Sequence, residues 1–198
     1  LEQRRFGIKV LTGENWIVPD SIHAHFGPSD MTKDADPTKQ GRIDLQQLSK
    51  IEMAEAAPEE VQVMFDVAKA TISYGWFYYP LYSVGTDRLE MTVELAVTLG
   101  FETLAQRERS TYRSAIAWLC ENGHINESLC EELQTSRLSR NDALHPRFQS
   151  IRMFGGAVRH AHYVAGLLDR YYAFQYSPRA SAGATKGHHH RSPLEAGQ

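Results

Sequence analysis

No run of apolar residues in this chain approaches the ~18 that a bilayer-spanning helix requires, so no membrane span is read from it. The opening residues Leu1-Glu2-Gln3-Arg4-Arg5 lack the apolar core of a signal peptide. Cysteine is scarce. Cys120 and Cys130 are too few for a disulfide framework, and both fall within or beside apolar helical patterns. They read as buried small hydrophobes in a reduced, cytoplasmic protein. A Walker-type glycine loop, a Rossmann fingerprint and a nucleophile elbow are all missing. So is a metal-ligand spacing. His160 and His162 are two apart on a helix and point different ways, while His23 and His25 would share a strand face with no third ligand. His188-His189-His190 would bind a metal only weakly, and neither metal nor cofactor is expected. An excess of positive charge is absent too. The net charge of -3 argues against a protein coated in cations for nucleic acid, although distribution matters more than the sum.

What is present is an ordinary globular composition, 42% apolar and 23% charged, in a chain long enough for one well-cored domain with appendages. Residues 1–57 read as an N-terminal extension. Ile8, Val10 and Leu11, then Trp16, Ile17 and Val18, flank Thr12-Gly13-Glu14-Asn15 as two short strands and a turn. Pro28 to Gly41 reads as an exposed loop and Ile43 to Met53 as a short helix. Helical periodicity starts at Pro58 and runs through Val61, Phe65, Ile72 and Tyr79 to a break at Pro80. The aromatic end of that run, Tyr74 to Tyr82, could stack bases, but packing in a core or dimer suits it better. A second helix is predicted from Asp87, with Glu90 as its capping-box partner. Ser110 and Asn126 would cap a third and a fourth, and a last one spans roughly Gln149 to Phe174. Gly155-Gly156 would let that last helix pack closely. Residues 177–198 have almost nothing to bury and read as a disordered tail. The expected fold is all-α: an antiparallel four- to five-helix bundle over residues 58–176, with an extension containing a short β-hairpin.

Charge is concentrated in one segment. From Arg137 to His160 stand five arginines (Arg137, Arg140, Arg147, Arg152, Arg159) and one acid, Asp142, so the segment is +4 and the rest of the chain -7. A solvated stretch and a surface for an anionic ligand are equally open on charge alone. Pro146 disfavours helical geometry at His145, so the fourth helix should end there. Asn141 and His145 are four apart and share a face, with Arg140 about 100° around from Asn141. Guanidinium, amide and imidazole at one helix end suit phosphate chemistry, because Arg clamps the anion and His exchanges protons near neutral pH. The bland reading is that Arg140 and His145 cap the helix and bond loop carbonyls. Glu90 and Glu94, four apart, could reach Arg140 across the bundle, but a solvated face is the favoured role for them.

Gly123-His124-Ile125-Asn126-Glu127, the leucine-patterned helix through Leu133 and Leu138, then Arg140-Asn141 and His145-Pro146 together resemble the HEPN domain family. The resemblance spans residues 58–175 and is specific over 123–146. It implies a helical bundle and a metal-independent endoribonuclease, with the 2′-hydroxyl attacking the neighbouring phosphodiester to leave a cyclic phosphate. His145 would be the acid–base residue, Arg140 would bind the scissile phosphate, and Asn141 would position them. Arg137, Arg147, Arg152 and Arg159 would hold RNA. The resemblance also implies a homodimer in which two motif copies share a cleft, supplying acid and base together. Toxin or defence roles, restrained by a protein or antitoxin partner, belong to the same family. So do non-catalytic modules that bind a protein or nucleotide, which stand as the alternative.

Overall fold

Proline sets where three of the helices begin. In the computed structural model, which describes residues 4–5, 8–23, 37–108, 110–144 and 152–175, α1 (Pro37–Ser49) and α3 (Pro80–Ala105) start on a proline. α2 (Glu59–Tyr74) starts just after Pro58. A helix cannot use its first N–H groups internally, so a residue without one costs nothing there. α4 (Tyr112–Glu121), α5 (Glu127–Leu144) and α6 (Phe154–Gln175) complete six helices among the described residues. Thr111 caps α4 by accepting from the Ser114 N–H at 3.2 Å, one residue beyond the expected Ser110. Asn126 caps α5 as expected, its Oδ1 accepting from Leu129 N at 2.9 Å. Gly123 has φ +72° and turns the chain between these two helices, a conformation that costs glycine nothing.

The all-α bundle predicted from sequence is what forms. Leu89, Val93 and Ala96 of α3 share one core with Ile116 and Leu119 of α4, Leu129 and Leu133 of α5, and Val164 and Leu168 of α6. Each of the valine, leucine and isoleucine side chains among them stabilises by about 1.5–3 kcal/mol when fully buried. α2 and α3 form a tight hairpin, and α6 then lies along α3 in the same direction. Phe154 meets Tyr82, His160 meets Glu90, and the Tyr171 hydroxyl meets Gly100. A Cβ at Gly100 would stand 2.0 Å from that hydroxyl, and one at Gly85 would stand 2.5 Å from Ile72. These glycines, rather than Gly155 and Gly156, let helices approach. Gly156 has nothing within 4 Å of an added Cβ, and Gly155 would meet only the Arg159 guanidinium.

Several boundaries differ from expectation. Pro80 opens α3 instead of ending the preceding helix, so Asp87 and Glu90 lie inside a helix and cap nothing. α1 begins inside the expected loop, at Pro37, and ends at Ser49. The small sheet pairs Arg4–Arg5 (β1) with Ile8–Lys9 (β2), antiparallel, with Arg4 opposite Lys9. Trp16, Ile17 and Val18 form no strand. Turns close from Asn15 to Thr12 and from Val18 to Asn15, curling that segment around the Lys9 ammonium. The tail (177–198), His25 and His188-His189-His190 lie outside the described residues. Among the described residues no helix is long and apolar enough to cross a membrane.

Candidate functional site

Asp87, Glu90 and Glu94 follow one another at spacings of three and four, which gathers them on one face of α3. That face turns into the bundle. Glu90 is only 3% exposed. Its Oε2 accepts from Ser136 Oγ of α5 at 2.5 Å, and its Oε1 lies 2.8 Å from Nε2 of His160 on α6. One turn along α3, Glu94 Oε2 lies 2.9 Å from Arg140 Nε. The expected solvated face is therefore corrected: these carboxylates meet α5 and α6, and Glu94 reaches Arg140. A carboxylate taken this far from water requires compensating partners, and here Glu90 has two. Neither nitrogen–oxygen contact has the alignment of a hydrogen bond.

Further groups extend the seam. Asn141 Oδ1 accepts from Arg140 Nη1 at 3.4 Å. Glu94 meets the guanidinium at Nε and Asn141 takes an N–H of Nη1, which leaves the Nη2 end as the part able to grip an anion. The Tyr112 hydroxyl donates to Ser136 Oγ at 3.5 Å, and burial pushes its ionisation well above the usual phenol range. Burial also raises the Asp87 carboxyl; Arg152 opposes this, Glu90 adds to it, and His160 opposes it again. The Tyr163 ring lies 5.9 Å from that of His160. Carboxylates, guanidinium and imidazole thus meet at the junction of α3, α5 and α6, between core and solvent. Arg140 and Glu94 keep 28% and 26% of their side chains exposed, so a ligand can reach them.

The residues picked from sequence divide. Arg140 and Asn141 are together at the C-terminal part of α5. His145 and Arg147 lie outside the described residues. Arg152 precedes α6, where its N–H donates to Ser83 Oγ at 3.1 Å and its charge acts on Asp87. Arg137 is half-buried and donates from Nε to Gln134 Oε1 at 2.8 Å. Arg159 is exposed on α6. Sequence reasoning missed Ser136, Tyr112 and the pairing of Glu90 with His160. A signal existed for Glu90, since it stands between Leu89 and Val93 on the apolar stripe of its helix, where an acid needs a partner. Cys120 and Cys130 are also corrected. They form a disulfide joining the end of α4 to the start of α5, with Cα atoms 6.1 Å apart. The sequence signal was their position either side of a short helix–helix turn.

A second set of buried polar groups lies at the turn that leads into α3. The aromatic turn packs as core: Trp76, Tyr79 and Tyr82 are buried, while Tyr74 is exposed. The N-terminal segment is fastened to it. Lys9 Nζ donates to the carbonyls of Asn15, Val18 and Phe77 at 2.8, 2.6 and 3.2 Å. Asp20 accepts from the N–H groups of Ile22 and Tyr79. His23 stacks on Trp76 at 4.4 Å between ring centres, with Nε2 3.0 Å from the Trp76 carbonyl. Burial lowers the His23 pKa, against the raising influence of the Gly75 carbonyl, Asp20 and the Trp76 carbonyl.

Among the described residues no three His, Cys, Asp or Glu side chains are grouped to hold a metal ion. Comparison with protein-family models, with curated proteins and with solved structures finds no match to this chain.

Proposed function

We propose that the chain is a HEPN-like, metal-independent endoribonuclease whose site is built on Arg140, Asn141 and His145. The observation that carries this reading is the setting of Arg140, met at Nε by Glu94 and at Nη1 by Asn141, with its Nη2 end left for a phosphate. His145, five residues further on, would exchange protons with the ribose hydroxyl and the leaving oxygen. Arg152, Arg159, Arg137 and Arg147 would hold the flanking backbone. A homodimer that joins two motif copies would supply acid and base together. A toxin or defence component, restrained by a protein or antitoxin partner, fits such an activity.

The test is RNA cleavage in excess chelator. Wild type should cleave, and Arg140→Ala and His145→Ala should each lose at least ~100-fold, the usual scale for a charge-stabilising or acid–base group. Intact RNA with all three proteins would sink the proposal.

One observation favours the alternative, a non-catalytic module that binds a protein or nucleotide. Glu94 already balances the Arg140 charge, as a purely structural pair would. In that case His145→Ala changes partner binding or dimer stability and no RNA phenotype appears.

A further inference from the structure

α2 carries two apolar stripes of the same spacing. Val61, Phe65, Ala68 and Ile72 are buried in the bundle. Shifted by two residues, and so about 200° around the helix, stand Val63, Val67, Ala70 and Tyr74. Val63, Val67 and Tyr74 are 55%, 48% and 60% exposed, and Ala70 is exposed as well. A surface helix keeps its outer face polar, whereas a helix apolar on both sides is covered on both. The outer stripe runs in steps of four, three and four, which are the a and d positions along which two helices interlock. That order reads the same from either end, so the stripe complements itself when two copies run antiparallel. Val67 then faces the second copy's Ala70, and Val63 faces its Tyr74, a larger side chain against a smaller one in each layer.

Charge selects the same direction. Glu59 and Glu60 stand at one end of the stripe, and the other end, from Tyr74 to Tyr78, has no acid. Parallel pairing would set each acid against its own copy, while antiparallel pairing sets them against phenol hydroxyls able to donate. The apolar surface also continues past α2. Lys9 donates to the carbonyls of both Val18 and Phe77, fastening residues 15–18 beside the foot of the helix, where the Tyr74 ring lies 6.4 Å from that of Phe77. In that loop Lys9 and Asn15 bind the backbone polar groups, and Trp16, Ile17 and Val18 are exposed. Monomeric proteins rarely leave so much apolar surface together in water.

We infer that the outer face of α2, lengthened by the loop at residues 15–18, is an interface on which a second copy of this chain docks antiparallel. Two heptads are a short seam against the roughly 800 Å² that each partner of a specific complex buries, and antiparallel pairing adds one loop at each end. The interface lies on the side of α2 turned away from the bundle, so it leaves the Arg140 seam of each copy open. It does not rest on the nuclease reading.

The experiment is sedimentation of the full chain across roughly 1–200 µM, where an interface of this size associates. Wild type should be a dimer at the upper end. Val67→Glu sets a carboxylate against the central apolar layer and should weaken the dimer at least ~100-fold, with the helical circular dichroism unchanged. Should that variant not fold, Tyr74→Ser removes one ring from each end of the seam and should weaken the dimer about tenfold. Leu138→Glu puts the same charge on an exposed leucine of α5 and should leave the dimer intact. Direction is read by mixing Val67→Cys chains with Ala70→Cys chains under mild oxidation, when unlike chains should crosslink in preference to like ones. Four results overturn the interface: a monomer throughout, a dimer unweakened by the α2 substitutions, a dimer lost to Leu138→Glu, or crosslinks confined to like chains. None of them bears on RNA cleavage, so the nuclease reading stands or falls separately.

Discussion

Two regions of this molecule bury polar groups, and they satisfy them differently. Around the aromatic turn, Lys9, Asp20 and His23 bond to backbone carbonyls and N–H groups. Backbone partners are fixed in space and cannot leave without unfolding the segment, so this set is a fastening. In the seam between α3, α5 and α6 the partners are side chains instead: Glu94 lies against Arg140, and Glu90 against Ser136 and His160. Side chains can exchange such partners for a ligand, and two of these are more than a quarter exposed. The difference separates a polar set that serves the fold from one able to serve chemistry.

The largest expected effect on stability is Glu90→Ala, which leaves the buried Ser136 hydroxyl without its acceptor and His160 without the carboxylate beside it. Denaturant unfolding should show a loss of about 3–5 kcal/mol, with Glu90→Gln losing much less. An effect below ~1 kcal/mol would mean the seam is wetter than described. Reduction of the Cys120–Cys130 bridge comes next. For a loop of ten residues it should cost about 2–3 kcal/mol, read by unfolding with and without reductant. Because α5 carries Ser136 and Arg140, reduction should loosen the seam and spare the aromatic turn, as amide exchange can report. Lys9→Ala orphans three carbonyls and should cost about 1–3 kcal/mol, concentrated in the N-terminal segment, without changing RNA cleavage. A change in cleavage would erase the distinction between the regions.

The smallest expected effect concerns pH. The folded-state pKa of His23 is lowered, chiefly by burial, so folding favours its neutral ring. Its contribution is fully present above the free-imidazole value of ~6.5 and is lost as pH falls through the lowered value. Unfolding followed from pH 7.5 downward should show this acid slope, and His23→Phe should flatten it.

The same contrast explains what could be read in advance. The helices were legible because apolar residues recur at helical spacing and because Asn126 and Gly123 punctuate them. Pro80 misled, since a proline can end one helix or begin the next, and the error hid Asp87 and Glu90 at a cap. Arg140 and Asn141 were legible as a local motif. His160 was not, because its meaning depends on Glu90, 70 positions away, and only the alignment of α3 with α6 joins them. The curl of residues 15–18 was equally hidden. Trp16-Ile17-Val18 favours a strand locally, and a single ammonium from Lys9 overrides it.

The most direct test is to determine the ends of RNA fragments by mass spectrometry after incubation in chelator. The expected products are a 2′,3′-cyclic phosphate on one fragment and a 5′-hydroxyl on the other, absent with Arg140→Ala. Intact RNA, fragments bearing 5′-phosphates, or the same products from Arg140→Ala would contradict a site built on that arginine.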